Sequence, residues 1–213
     1  VANHPNSFLD AIIIGSLFKV PVHYLARGDA FNKPMNGTML RLLHMIPVYR
    51  MSEGRESVFL NEAAFARSKD ILSQKGIVLI FIEGICVHKH ALQPFKKGAA
   101  KIALDSAGIP GFGIQPITIA YDSFEQFGKR VNIVIGENIP VAKLFPYEEA
   151  TKNIMHFNQV LFTVINDNIL LPETDGRSRR RGNPVFYVPA LLGFLLHVPL
   201  YTIISKYIRK KTR

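Results

Sequence analysis

The stretch Ile77-Val78-Leu79-Ile80-Phe81-Ile82-Glu83-Gly84 decides how the chain folds. Six apolar residues follow Gly76 with no polar alternation, the pattern of a strand buried on both faces. Such a strand belongs to a sheet covered by helices on either side. It runs straight into a carboxylate and a glycine, and ligands of α/β sheets bind at strand ends of this kind. Working outward, helices are expected over residues 61–74 and 97–107. In the first, Asn61 is the N-cap, and Phe65, Ser68, Ile71 and Leu72 share the inner face; Gly76 and Gly108 are the stops. Further strands are read at 22–26, 46–49, 114–120 and 131–135, with Pro116 confined to a strand start or an edge. A short helix is expected over 38–44. A long one over 147–169 repeats Ile154, Phe157, Leu161, Val164 and Ile165 at helical spacing. Strands alternating with helices predict an α/β domain over residues 1–171, a mostly parallel central sheet flanked by helices.

The N-terminal end carries the chemistry. Val1-Ala2 reads as the tail of a strand, followed by Asn3-His4-Pro5-Asn6-Ser7-Phe8-Leu9-Asp10 and an apolar helix over 8–18. This places an imidazole and a carboxylate six positions apart at the mouth of a helix. Such a pair takes a proton from a hydroxyl and steadies the cation that forms. The same residues also read as a capping box, Ser7 at the N-cap and Asp10 three residues on. In that case Asp10 ties off the helix start and His4 has no special duty. Taken alone, the octet leaves both readings open.

Composition narrows the partners. The chain has 213 residues, 48% of them hydrophobic, enough for one domain with an appendage. It opens on Val rather than Met, which leaves room for upstream residues, and no basic stretch precedes an apolar one as in a signal peptide. Its single cysteine, Cys86, excludes an internal disulfide framework and any cysteine-based metal site; no metal or cofactor is expected. The net charge of +10 calls for an anionic partner. The excess gathers in residues 172–213: Arg177 and Arg179 to Arg181 on one side, Lys206, Arg209, Lys210, Lys211 and Arg213 on the other. Between them Val185 to Ile204 is nearly all apolar, long enough to span a bilayer but broken by Pro189, His197 and Pro199. Two basic flanks suit a broken helical pair lying in the interface of an anionic membrane, both ends on the cytoplasmic side. The basic residues are not interleaved with aromatics, so nucleic acid is not an expected partner.

Three further stretches change the weight of the octet. They are Leu43-His44-Met45-Ile46-Pro47-Val48-Tyr49-Arg50; Phe81-Ile82-Glu83-Gly84 with the downstream Gln93-Pro94-Phe95-Lys96-Lys97-Gly98-Ala99; and Gln115-Pro116-Ile117-Thr118-Ile119. In this order, after the octet, they resemble the four sequence blocks of the glycerolipid acyltransferases, the family of 1-acyl-sn-glycerol-3-phosphate acyltransferase. The likeness covers residues 1 to about 140. There are departures. The family has four residues between His and Asp where this chain has five. The third block reads Phe-Ile-Glu-Gly-Ile-Cys and lacks the family's Pro, Thr and following cation, for which His88, Lys89 and His90 are the nearby substitutes.

The resemblance implies a membrane-associated enzyme of phospholipid synthesis. It would move a fatty acyl group from acyl-CoA or acyl carrier protein to a hydroxyl of glycerol-3-phosphate or lysophosphatidate. His4 is then the general base and Asp10 the carboxylate that fixes its tautomer and steadies the imidazolium. The acceptor attacks the thioester itself, so Ser7 and Cys86 are bystanders. Arg50 is the candidate for the acceptor phosphate, since a guanidinium binds two oxygens at once. Glu83 would orient Arg50 or bond the glycerol hydroxyls, Gly84 lets backbone approach the ligand, and Lys96 and Arg27 are weaker phosphate candidates. The lengthened His-to-Asp spacing and altered third block also fit a non-catalytic lipid- or membrane-binding module of the same fold. A hydrolase with water as acceptor is the third reading.

Overall fold

In the computed structural model the apolar run at 77–82 forms a strand over Ile77–Leu79 and an isolated bridge at Phe81, its backbone bonds divided between two partners. On one edge Ile77–Leu79 pair in parallel with Val22–Tyr24. Beyond that, on the other edge, Ile80 and Ile82 bond the backbone of Ala2: Ala2 N–H donates to Ile80 O at 2.9 Å and Ile82 N–H to Ala2 O at 3.0 Å. The structure describes residues 1–49, 59–124 and 129–170, and beyond them only the helical positions 191, 193, 195 and 198. The chain divides into two compact units, Val1–Pro172 and Glu173–Arg213. The expected membrane-associating segment therefore falls almost wholly outside the described residues. Among those described, no helix is long and apolar enough to cross a membrane.

Along the first unit the elements are α1 (Phe8–Gly15), β1 (Val22–Arg27), a 3-10 turn (Gly28–Phe31), α2 (Pro34–Leu42) and β2 (Met45–Val48). They continue with α3 (Asn61–Ser73), β3 (Ile77–Leu79), α4 (Lys97–Asp105), β4 (Gly113–Ile114), β5 (Ile117–Tyr121), β6 (Val131–Ile135), β7 (Ile139–Pro140), α5 (Val141–Leu144) and α6 (Ala150–Asp167). The central sheet is parallel, in the order β2-β1-β3. Ala2 extends it by bridging in parallel to Phe81 on one side and Ile117 on the other, which brings in β5 and its antiparallel neighbour β6. A second antiparallel pair joins β4 to β7. The sheet is thus less uniformly parallel than expected. β5 returns into β6 across residues 122–130, too short a connection for the crossover that a parallel partner needs.

Helices cover both faces. α1 covers one face, and α3, α4 and α6 cover the other. On the first side Ile14 of α1 packs with Val22, Leu79 and Ile117. On the second, Ala64 and Ile71 of α3 pack with Ile46, while α4 and α6 close over Ile82 with Ala99, Ala103, Phe157, Leu161 and Ile165. β3 is therefore covered on both faces, as its unbroken apolar run required. Two local expectations fail. Asn61 does not cap α3: its side chain bonds both N–H and C=O of Tyr49, at 2.8 Å each. Ser7 makes no side-chain cap for α1.

Candidate active site

The extended segment at Ala2 leaves the sheet at Asn3, which ends it in a particular way. Its side-chain amide takes the place of the next peptide: Oδ1 accepts from Ile119 N–H at 2.8 Å and Nδ2 donates to Ile119 O at 2.9 Å. The β5 backbone is thereby satisfied while the main chain is released from the sheet. His4, the next residue, leaves at the C-terminal edge of the parallel strands. Its ring stacks on Phe81, with centroids 3.9 Å apart and planes 18° from parallel.

The chain then turns through Pro5-Asn6-Ser7. Ser7 adopts φ 53°, ψ −134°, a conformation that disfavours any residue with a Cβ. Its N–H donates to Cys86 Sγ at 3.0 Å. The reversal lets Asp10, on the first turn of α1, face back toward His4. His4 Nδ1 and Asp10 Oδ2 are 3.0 Å apart. Asp10 is wholly buried, yet its carboxylate is fully bonded. Oδ2 also accepts from Asn6 N–H at 2.7 Å, and Oδ1 accepts from the Tyr121 hydroxyl at 2.6 Å. Burial of an anion is tolerable only with such a set of donors. The capping-box geometry is accordingly displaced by one residue: the carboxylate reaches back to Asn6 N–H, not to the N–H of the N-cap.

Glu83 follows as the strand run ends. It is buried, and burial raises its carboxyl to about 7, while hydrogen bonding with the backbone of His4 and Gln93 pulls the other way and the Asp10 charge adds to the rise. Gly84 has φ +63°, and a Cβ there would lie 2.9 Å from Lys96 Cγ. The backbone bond from Lys96 N–H to Ile82 O, 2.9 Å, holds that close approach. His4, Asp10, Glu83, Gly84 and Lys96 thus gather at one end of the sheet. Arg50 lies outside the described residues. Arg27 is occupied by Asp29, a bidentate pair that engages its guanidinium. Burial, with the nearby Asp10 and Glu83 charges, raises the Cys86 thiol. A protonated thiol is a poor nucleophile. Among the described residues no group of three metal-ligating side chains occurs.

The acyltransferase family model matches residues 1–120, more than half of the chain and all of the site just described. The chain belongs to the acyltransferase family. The family read from the four sequence blocks is thereby borne out. Among solved structures, this acyltransferase-family chain is similar to the crystal structure of the 1-acyl-sn-glycerophosphate (LPA) acyltransferase, PlsC, from Thermotoga maritima. The two share 15% identity at a TM-score of 0.46, over 78% of this chain and 64% of that one, so this chain spans less than two thirds of that protein's length. No curated protein matches.

Sequence reasoning found the two ends of the hydrogen-bonded chain and missed what joins them to the sheet. Tyr121 is the clearest omission. The apolar pattern over 114–120 ends the strand at Ala120, one residue short of it. A signal existed: a tyrosine closing a run of buried aliphatics carries a hydroxyl that must find a partner. Asn3 and Phe81 gave no comparable sign.

Proposed function

We propose that this protein transfers a fatty acyl group from an acyl thioester to a hydroxyl of glycerol-3-phosphate or lysophosphatidate, with His4 as general base and Asp10 as its partner. The observation that carries this reading is the 3.0 Å contact between His4 Nδ1 and the buried Asp10 carboxylate. A carboxylate on Nδ1 fixes the tautomer with the proton there, which makes Nε2 the acceptor. Among the described residues nothing bonds Nε2. The acceptor hydroxyl gives its proton to Nε2 as its oxygen attacks the thioester carbonyl. The tetrahedral adduct collapses with rupture of the C–S bond, and the departing thiolate takes the proton back. No acyl-enzyme is needed, in keeping with a Cys86 thiol held protonated and bonded to the Ser7 amide. Glu83 engages the His4 backbone and so helps hold the base in place; Lys96 and Arg50 are the residues proposed for the acceptor phosphate.

The reaction takes place at the cytoplasmic face of a membrane in this reading. Supporting it, α1 and α2 each carry an outward apolar stripe. Phe8 and Ile12 are over half exposed, and Met35, Met39 and Leu42, at i, i+4 and i+7, are 82%, 61% and 75% exposed. α2 holds Arg41 and no acidic residue, and Lys19 and Lys33 lie nearby in the chain. Apolar stripes beside unopposed cations suit an anionic lipid surface.

The test is product analysis by mass spectrometry. Wild type and His4→Ala are incubated with acyl-CoA or acyl carrier protein thioester and glycerol-3-phosphate, lysophosphatidate or an unphosphorylated lyso-lipid. An acylated phosphorylated acceptor is expected with wild type, reduced about 10²- to 10⁴-fold in the folded variant. Equal rates would remove His4 from the mechanism. Vesicle binding without any acyl transfer would instead favour a lipid-binding module.

A further inference from the structure

Asp10 has no contact with solvent, so three donors make up its whole described environment: His4 Nδ1, the Asn6 amide and the Tyr121 hydroxyl. They are unevenly divided. Two of them share Oδ2, and Tyr121 alone holds Oδ1. Rolling about Cβ–Cγ moves both carboxylate oxygens, so the single contact on Oδ1 fixes that angle jointly with the two on Oδ2. Tyr121 itself is fully buried and belongs to β5, 111 residues away in sequence. Its position is set by the clasp of Asn3 on Ile119 and by the bond from Ile117 N–H to Val1 O, 2.8 Å. The extended segment that Asn3 terminates and the helix that Asp10 opens are therefore tied together through one phenol.

We infer that Tyr121 is a positioning residue for the transfer: its hydroxyl orients the Asp10 carboxylate toward His4 and draws charge away from it, which tunes how readily His4 accepts a proton. The inference rests on the acyltransferase reading for its catalytic meaning, though the coupling itself does not. A donor on Oδ1 spreads the negative charge that Oδ2 presents to the imidazole. Removing the donor concentrates that charge and favours the imidazolium. Other ionisable groups facing this chain are Glu83 and Cys86 from the segment after β3, Lys89 and His90, which line a small cavity with Tyr121, and Lys129, whose Nζ lies 5.6 Å from the Tyr121 ring centroid. None of them replaces the hydroxyl on Oδ1.

The test reads His4 directly, by NMR titration of histidine-labelled full chain. In Tyr121→Phe, which keeps the ring and its packing, the His4 midpoint is expected to rise by about half a unit or more, the scale of one lost charge-assisted hydrogen bond. The acid limb of the acyl-transfer rate should move up with it, and kcat should fall about tenfold. 3-Fluorotyrosine at position 121 is the stronger donor and should move the midpoint down. In an Asp10→Asn background neither change at 121 should shift His4 further. Lower thermal stability with an unmoved midpoint would leave Tyr121 a packing residue and overturn the inference. A shift that persists in full without the Asp10 carboxylate would overturn the route through Asp10. Should the midpoint move in a protein that transfers no acyl group, the acyltransferase reading falls and the coupling stands.

Discussion

Replacing Asn3 should show that one side chain holds the site to the sheet. Asn3→Ala removes two hydrogen bonds, of 2.8 and 2.9 Å, and leaves the N–H and C=O of Ile119 without partners. Asn3 is 5% exposed and Ile119 1%, so water has little access to either group. A buried polar group left unpaired costs about 1–3 kcal/mol. Two of them, on one rigid strand, give an expected loss of roughly 3–4 kcal/mol, a large part of a domain's stability. Asn3→Leu separates this effect from packing, since it fills the space and leaves the same two groups unsatisfied; it should lose about as much. Asn3→Asp adds a sign. Its carboxylate still accepts from Ile119 N–H but faces Ile119 O, so the folded state favours the protonated acid, whose O–H donates to that carbonyl. The folded state then holds the extra proton, and stability should fall as pH rises through the titration of the introduced carboxyl. Urea unfolding with unchanged slope gives the differences from the midpoints. An Asn3→Ala protein within about 0.5 kcal/mol of wild type, the usual span of inert surface changes, would refute the reasoning.

Three further changes, at Glu83, at Ser7 and along α2, have effects of comparable size. The Glu83 carboxyl, raised by burial to about 7 in the folded state from an ordinary 4.5, binds a proton more readily folded than unfolded between those values. Stability should therefore drop by up to roughly 3 kcal/mol as pH rises across that window, and Glu83→Gln should flatten the slope in pH-dependent unfolding. Ser7 sits at positive φ with no side-chain cap, so Ser7→Gly should raise stability by about 1 kcal/mol in the same unfolding assay. Met35→Gln/Met39→Gln/Leu42→Gln should weaken binding to vesicles containing phosphatidylglycerol by more than about tenfold, because each side chain contributes about 1.5–3 kcal/mol when buried. Unchanged vesicle sedimentation would remove α2 from the lipid surface, and a change only in oligomeric state would assign the stripe to self-association.

The elements that were legible in the sequence are those whose cause is local. β3 announced itself because a strand covered on both faces has no polar position to offer. α6 did so because Phe157, Leu161 and Ile165 recur along one buried stripe. Boundaries were less readable where a tertiary contact decides them. Asn61 has the chemistry of an N-cap, yet clasping both backbone groups of Tyr49 satisfies two strand-end atoms at once, and α3 begins without it. The site divides the same way. His4, Asp10, Glu83 and Gly84 are neighbours of recognisable blocks. Tyr121 and Asn3 act across 111 and 116 residues, and no spacing rule reaches that far.

The extra residue between His4 and Asp10 shows why spacing is a poor proxy for geometry. Were the six-residue step helical throughout, it would turn about 600° and rise about 9 Å, and the side chains would point away from each other. They meet because helix α1 starts only at Phe8 and the preceding residues are free to fold back. The reversal is concentrated at Ser7, whose positive φ accommodates the additional residue, and Asn6 N–H secures it on the same oxygen that His4 uses. The other end of the loop is fixed independently, by Asn3 on β5 and by Phe81 beneath the imidazole. With both ends anchored to the sheet, the number of residues between them sets only the path of the loop. The distance between the ring and the carboxylate is set by β5 and α1, which is why a five-residue interval still delivers a 3.0 Å contact.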